Sequence, residues 1–286
     1  MAAGAASDPP GEYSLSRCRA GPPPLMTSPF YAAGPPDVTP LPRWRDRLLH
    51  ALLPAPCLGC GTPLPARQLG LGLCRACRAR LRPLPPGVCA VCCQPLPAAG
   101  LPPGWRCQAC REEPPAFDRL LALWSYEEPL AAVVRALKFR RLDYLGRHLG
   151  EALAGRFAGE LVELGEIDLV VPVPLHWRRR LARGYNQAER IARPLAARLG
   201  LPLAALLRRA RATPPQSLLG KAARVANLRR AFRVADPARL RGRHLLLVDD
   251  VATTGATLEA AAAVLRGAGA AAVTAVTAGR TLSHPY

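Results

Sequence analysis

Apolar residues recur in segments of regular length chiefly in the later part of the chain, from about residue 116 onward. There Leu120 to Tyr126 reads as a strand and Pro129 to Lys138 as a helix. Tyr144 to Leu164 reads as a longer helix, with Leu145, Leu149, Leu153 and Phe157 on its buried face. Asp168 to Val173 (DLVVPV) predicts a short strand, Glu189 to Leu199 a helix and Leu245 to Val248 (LLLV) a buried strand. Thr257 to Arg266 predicts a helix and Ala271 to Thr277 a final strand. Strands that are apolar without alternation need cover on both faces, and their interleaving with helices predicts a parallel α/β sheet. Such sheets bind ligands at the carboxyl ends of their strands.

Before residue 116 the pattern is different. Residues 1–44 consist largely of Ala, Gly, Pro and Ser with no helical or strand period, which predicts a disordered tail; Met26 lies within it as an alternative start. Trp44 to Leu53 carries Trp44, Leu48, Leu49 and Leu52 on one side of a short amphipathic helix. The next stretch is governed by cysteines. Three regions follow from these shifts: a tail at 1–44, a cysteine-rich domain at 45–115 and a larger α/β domain at 116–286.

Composition narrows the picture. Half of the 286 residues are apolar, which excludes a wholly disordered chain, while 5% aromatic content leaves the core to Ala, Leu and Val. The first 25 residues lack a basic start followed by an apolar run, since Asp8, Pro9, Pro10 and Glu12 intervene. Ala260 to Ala278, the most apolar later stretch, carries Arg266, Gly267 and Gly269 and is no membrane span. The expectation is a cytoplasmic protein without membrane insertion. Its formal net charge is +19, and Lys138 and Lys221 are the only lysines among 39 basic residues. An arginine bias can reflect base composition, but it can also serve a polyanion.

Eight of the ten cysteines form four Cys-x-x-Cys pairs: Cys57 and Cys60, Cys74 and Cys77, Cys89 and Cys92, Cys107 and Cys110. Thirteen residues separate Cys60 from Cys74 and fourteen separate Cys92 from Cys107, so the segment reads as a duplicated four-thiolate unit. Neither unit is large enough to own a hydrophobic core, and a structural Zn2+ ion in each supplies the missing folding energy. A redox dithiol normally occurs once on a βαβ frame, which argues against the main alternative. Cys93 could replace Cys92 with looser spacing, and Cys18 is left over in the tail.

The richest chemistry follows the LLLV strand. Asp249 and Asp250 stand at its carboxyl end, before Thr253, Thr254, Gly255, Ala256 and Thr257 at the head of a helix. Backbone N–H groups and hydroxyls at a helix start accept a phosphate, and glycine permits close approach. Two carboxylates beside them can accept hydrogen bonds from a vicinal diol. Phosphate at one end and two hydroxyls beside it describe a ribose 5-phosphate. A nucleoside triphosphatase would need a P-loop, and none occurs: Gly220 and Lys221 are followed by Ala222. A merely capped helix would leave the acid pair unexplained.

The segment LLLVDDVATTGAT resembles the diphosphoribosyl-binding signature of type I phosphoribosyltransferases, and the wider chain resembles the ComF family of competence-associated proteins. The likeness extends to DLVVPVPLH (168–176), RGYNQAE (183–189), Thr213 with Gln216, Arg224 with Asn227, and the cysteine segment, covering roughly 57 to 280. It implies a type I phosphoribosyltransferase-like parallel sheet with flanking helices, preceded by a small zinc-ribbon domain. It implies that Asp249 and Asp250 hold the ribose hydroxyls, that Thr253 to Thr257 cradle the 5-phosphate, and that Pro174, Leu175 and His176 form a pyrophosphate loop. The ligand so implied is 5-phosphoribosyl diphosphate with Mg2+, and the acceptor is not identified.

Arg178, Arg179, Arg180 and Arg183 follow that loop and are candidate cations for the diphosphate, for nucleic acid, or for a solvated face. From His176 to Arg233 there are fifteen basic residues against one acid, Glu189, more than a single diphosphate needs. Residues 208–230 look like a cover over substrate or an ordinary loop. Lys138, Arg140 and Arg141 form a second basic patch, near the acceptor or simply complementing a helix dipole. Two functions fit. One is phosphoribosyl transfer to a nitrogenous acceptor with release of pyrophosphate. The other is a non-catalytic accessory protein that binds single-stranded or duplex DNA and senses the metabolite.

Overall fold

The computed structural model describes residues 55–64, 70–97, 101–102, 104–209 and 231–282, all within one compact unit spanning Arg47–Tyr286. The expected tail, the helix at 44–53, most of the 208–230 segment, and Thr213, Gln216, Arg224 and Asn227 lie outside the described residues.

Four strands form a wholly parallel sheet: β1 (Arg119–Ser125), β2 (Leu169–Pro172), β5 (His244–Ala252) and β6 (Ala272–Arg280), in the order β1-β6-β5-β2. A second, antiparallel pair joins β3 (Leu207–Arg209) to β4 (Phe232–Val234). The two faces of the sheet divide the apolar residues by parity, as a period of two requires. Val170, Leu246, Val248 and Val276 enter one core; Leu169, Val171, Leu245, Leu247 and Val273 enter the other.

The first core is covered by α3 (Leu130–Phe139), α4 (Tyr144–Glu163) and α6 (Gln187–Leu199). Leu145, Leu149, Leu153 and Phe157 of α4 are all buried there, as the spacing predicts. Gly146 and Gly150 let α4 and α6 approach closely: a Cβ on Gly150 would lie 2.2 Å from the Ile191 carbonyl oxygen. The second core is covered by α7 (Ala256–Gly267).

The cysteine segment contributes to both cores. Cys57, Leu64, Leu71, Leu73 and Cys77 pack into the first, and Cys89, Val91, Cys93 and Cys110 into the second. Each group carries a five-residue helix, α1 (Arg75–Ala79) and α2 (Gln108–Glu112), capped by Cys74 and Cys107. One further helix, α5 (Trp177–Arg183), follows β2 directly. It starts at His176 and ends at Gly184, whose φ of 85° suits the glycine there. The periodicity did not predict it, because seven residues of mostly arginine carry no apolar stripe.

Candidate functional site

β2 stops pairing with β5 at Pro172, opposite Val248, whereas β6 stays paired with β5 as far as Ala252. The strand expected to end at Val248 therefore runs through Asp249 and Asp250, supported on one edge and open on the other. The chain leaves β2 toward α6 on the first face and leaves β5 toward α7 on the second. The gap between β2 and β5 is thus the point where the winding reverses, which is where open α/β sheets bind ligands. A cleft of about 220 Å3 lies there.

Asp249 and Asp250 line the cleft yet are only 8% and 3% exposed. Asp249 Oδ1 accepts from the Asp250 backbone N–H at 2.8 Å, and Asp250 Oδ1 meets Lys138 Nζ at 2.9 Å. Asp250 Oδ2 is buried with no hydrogen-bond partner. Burial, and then the charge of Asp250, pushes the Asp249 carboxyl up to about 7, with Lys138 pulling the other way. Two buried carboxyls side by side thus leave Asp249 able to take up or release a proton near neutral pH, with Lys138 and Arg209 favouring release.

The turn after β5 reaches the start of α7 through Gly255, whose φ of 80° is a left-handed conformation open to glycine. Thr254 Oγ1 accepts from the Ala256 N–H at 3.3 Å, and Thr253 and Thr257 line the cleft. The first N–H groups of a helix have no partner within it, so this turn presents donors and hydroxyls to an anion.

Across the cleft stand Pro174 and Leu175. His176, the third residue of the expected loop, is 5% exposed, its Nδ1 accepts the Arg178 N–H at the start of α5, and burial lowers its pKa. Of the four candidate arginines, Arg179 lines the cleft, while Arg178 and Arg180 are exposed on α5. Arg183 donates to Gln187 Oε1 at 2.7 Å.

The RGYNQ stretch holds both walls. Asn186 Nδ2 donates to the Val173 carbonyl at 2.9 Å, fixing the loop beside Pro174, and Tyr185 Oη donates to the Leu137 carbonyl, next to Lys138. Lys138, expected near the acceptor or at a helix end, and Arg209, expected in a substrate cover or an ordinary loop, both line the cleft, as do Tyr126 and Gln187, to which sequence reasoning gave no role. For Lys138 a signal existed: a lysine where the chain otherwise uses arginine marks a position that suits a compact charge. Arg209 stands at the base of the 208–230 segment.

The eight paired cysteines assemble as two groups of four, Cys57, Cys60, Cys74 and Cys77, and Cys89, Cys92, Cys107 and Cys110. Within each group the sulfurs lie inside 4.8 Å of one another. Cys60 and Cys74 Sγ are 3.7 Å apart, as are Cys92 and Cys107 Sγ. A tetrahedron with 2.3 Å arms has edges of about 3.8 Å, so the donor sets fit a thiolate-bound zinc ion. Backbone N–H groups of Cys74 and Cys107 point at Cys57 and Cys89 Sγ, both at 3.2 Å, as they do toward ligand thiolates. Cys93 stands apart: its Sγ donates to the Leu120 carbonyl at 2.8 Å, and burial pushes its thiol up to about 11. Cys92, rather than Cys93, joins the second group. Cys18 lies outside the described residues.

Residues 185–283 match the phosphoribosyl transferase domain family. DNA utilization protein YhgH of Salmonella typhi is 36% identical over 215 residues, 71% of this chain and 94% of that protein. The protein of the same name in Escherichia coli (strain K12) is 35% identical over the same shares. Competence protein F of Haemophilus influenzae is 32% identical over 199 residues, 68% of this chain and 84% of that one. Among the described residues no helix is long and apolar enough to cross a membrane. On these relatives and the matched domain, which holds the acid pair and the phosphate-type turn, the chain belongs to the ComF family of phosphoribosyltransferase-like proteins.

Proposed function

We propose that the cleft binds 5-phosphoribosyl diphosphate and that the chain transfers its phosphoribosyl group to a nitrogenous acceptor, releasing pyrophosphate. The observation that carries this reading is convergence. A diol-accepting acid pair, a helix start suited to phosphate and a loop followed by cations bound one cleft at the winding reversal.

In the reaction the bond from C1 to the diphosphate oxygen breaks, its electron pair leaving with pyrophosphate, and a bond from the acceptor nitrogen to C1 forms. Positive charge develops on the ribose ring as negative charge collects on the leaving group. Asp249 and Asp250 would hold the ribose hydroxyls, with Lys138 paired to Asp250, and Thr253 to Thr257 would hold the 5-phosphate. Arg179 and Arg209, which line the cleft, would face the departing diphosphate. Bound Mg2+ would neutralise further charge there, and Asp249 and Asp250 are the oxygen donors lining the cleft that suit so hard a cation. Pyrophosphate is a good leaving group, so no strong protein base is required.

The test is incubation with the diphosphate, Mg2+ and a panel of bases, following pyrophosphate and products by mass spectrometry. Acceptor-dependent pyrophosphate release is expected. Asp249→Asn with Asp250→Asn is expected to weaken calorimetric binding of the diphosphate about 100-fold or more, because two charge-assisted acceptors are lost. Unchanged affinity in the double variant overturns the site.

A second reading, DNA binding with the cleft as a metabolite sensor, is favoured by the surface beside it. Trp177 is 57% exposed with the Arg178 guanidinium 5.3 Å from its ring, and Phe139 is 73% exposed with Arg183 at 5.3 Å. Exposed rings paired with arginines suit stacked bases, and the names of the relatives point the same way. It predicts diphosphate binding without turnover. It also predicts a salt-dependent affinity for single-stranded DNA that falls on charge reversal at Arg178 to Arg180. A flat salt response rules it out.

A further inference from the structure

One side chain joins the second cysteine group to the phosphate-type turn. Arg280, the last residue of β6, is only 4% exposed. Its Nε donates to the Cys92 carbonyl at 2.9 Å, and its Nη1 donates to the carbonyls of Ala252, at 2.9 Å, and Thr253. A guanidinium is a rigid planar fork, so these three carbonyls from two segments are held in one fixed relation. A neighbouring link repeats the connection. Gln94 Nε2 donates to the Thr281 carbonyl, and the Thr281 N–H donates to the Ala252 carbonyl, both at 3.0 Å.

The two ends of this bridge are chemically distinct. One end is the Cys89 to Cys92 knuckle, whose geometry a bound metal ion would fix. The other is the carbonyl pair that opens the turn to Gly255. A buried guanidinium needs compensating charge, and among the described residues no carboxylate pairs with Arg280. Four thiolates around one divalent ion carry net negative charge beside it, so the metal centre would also act as its counter-ion. Among the described residues the first cysteine group makes no such link to the turn; it packs on the opposite face of the sheet, against α3 and α4.

We propose that Arg280 is a positioning residue that fixes the 252–257 turn from the second cysteine group. Metal loss from that group, and not from the first, then loosens the 5-phosphate end of the cleft. Its ligand-binding consequence rests on the function proposed above; the tether itself does not.

Hydrogen exchange on the full-length, metal-loaded protein tests the tether. The variants are Arg280→Gln, Arg280→Lys, Cys107→Ser in the second group and Cys74→Ser in the first, with metal content measured for each. Exchange at residues 252–257 is expected to rise about tenfold in Arg280→Gln and in Cys107→Ser, the scale of one or two lost hydrogen bonds, while Cys74→Ser leaves it unchanged. Peptides from β2 report that the sheet remains folded. Should Arg280→Gln not fold, Arg280→Lys decides by the same measure, since it keeps the charge but cannot span three carbonyls.

In the ligand arm, ribose 5-phosphate affinity is expected to fall about tenfold in Arg280→Gln while pyrophosphate affinity holds, with partial recovery in Arg280→Lys. A merely structural defect would weaken both ligands. Wild-type exchange at the turn in Arg280→Gln, equal loosening by Cys74→Ser and Cys107→Ser, or parallel loss of pyrophosphate affinity overturns the proposal. If the wild-type protein binds no ribose 5-phosphate, the functional reading fails while the exchange comparison still decides the tether.

Discussion

Asp249 ionises near pH 4 in an unfolded chain and near 7 in the folded one. Between these values the native state keeps a proton that the unfolded state has lost. Stability therefore falls as pH rises through the window, by up to ~1.4 kcal/mol per pH unit, and levels off above about 7. Asp249→Asn is expected to remove that slope, as read from denaturant midpoints between pH 4 and 8; an unaltered slope would assign the raised carboxyl elsewhere. Lys138→Met takes away a cation that favours ionisation of Asp249. The pH at which ribose 5-phosphate binding reaches half its maximum should then move upward from the wild-type value, and a constant midpoint would deny Lys138 its electrostatic role. The acid pair was legible in the sequence because two adjacent carboxylates at a strand end have few structural uses. Lys138 was legible as part of a basic patch, but its pairing with Asp250 was not, because the two lie 112 residues apart, a contact that local pattern cannot encode.

The long helices and central strands could be read from apolar period alone, and their observed limits differ from the expected ones by a few residues. What pattern missed has a common cause: the stabilising contacts lie outside the element. β5 continues through two aspartates because β6 supplies its ladder, and α5 forms because His176 and Gly184 close its ends. The close packing of α4 on α6 likewise depends on absent side chains, and it yields a paired prediction. Gly150→Ala places a Cβ 2.2 Å from the Ile191 carbonyl oxygen and 2.5 Å from Pro194 Cγ. Overpacking costs about 1–3 kcal/mol or more where backbone must move, which outweighs the ~1 kcal/mol that alanine gains over glycine in a helix. A net loss of about 2 kcal/mol is expected. Gly155→Ala, on the same helix with nothing within 4 Å of the added carbon, is expected to raise stability by up to ~1 kcal/mol. Denaturant midpoints of the two variants should move in opposite directions, and equal shifts would mean that the helix interface does not depend on the glycine.

At the scale of the molecule, cysteine spacing announced two repeated units but could not say where they would sit. A repeat suggests neighbours stacked on each other, whereas these two units flank the sheet, one in each core. Their sulfurs are packed among the residues that cover the sheet: Cys57 and Cys77 with Leu121 and Leu145, Cys89 and Cys110 with Leu120 and Leu258. Metal bound by these groups would therefore contribute to the stability of the whole described fold instead of to a separable appendage, and structural zinc sites contribute on the order of 10 kcal/mol each. Elemental analysis of protein purified under reducing conditions without chelator should give about two zinc ions per chain. Calorimetry of that protein should show one cooperative transition, and chelation should lower its Tm by more than about 10 °C, since a few kcal/mol shifts a domain of this size by that much. Loss of both groups uncovers part of each face at once, so the sheet is expected to follow, whereas loss of one group leaves the cover of the other face in place. A second transition that survives chelation at the original Tm would mean that the sheet and its helices stand without either group, and that the shared cores are contact without energetic consequence.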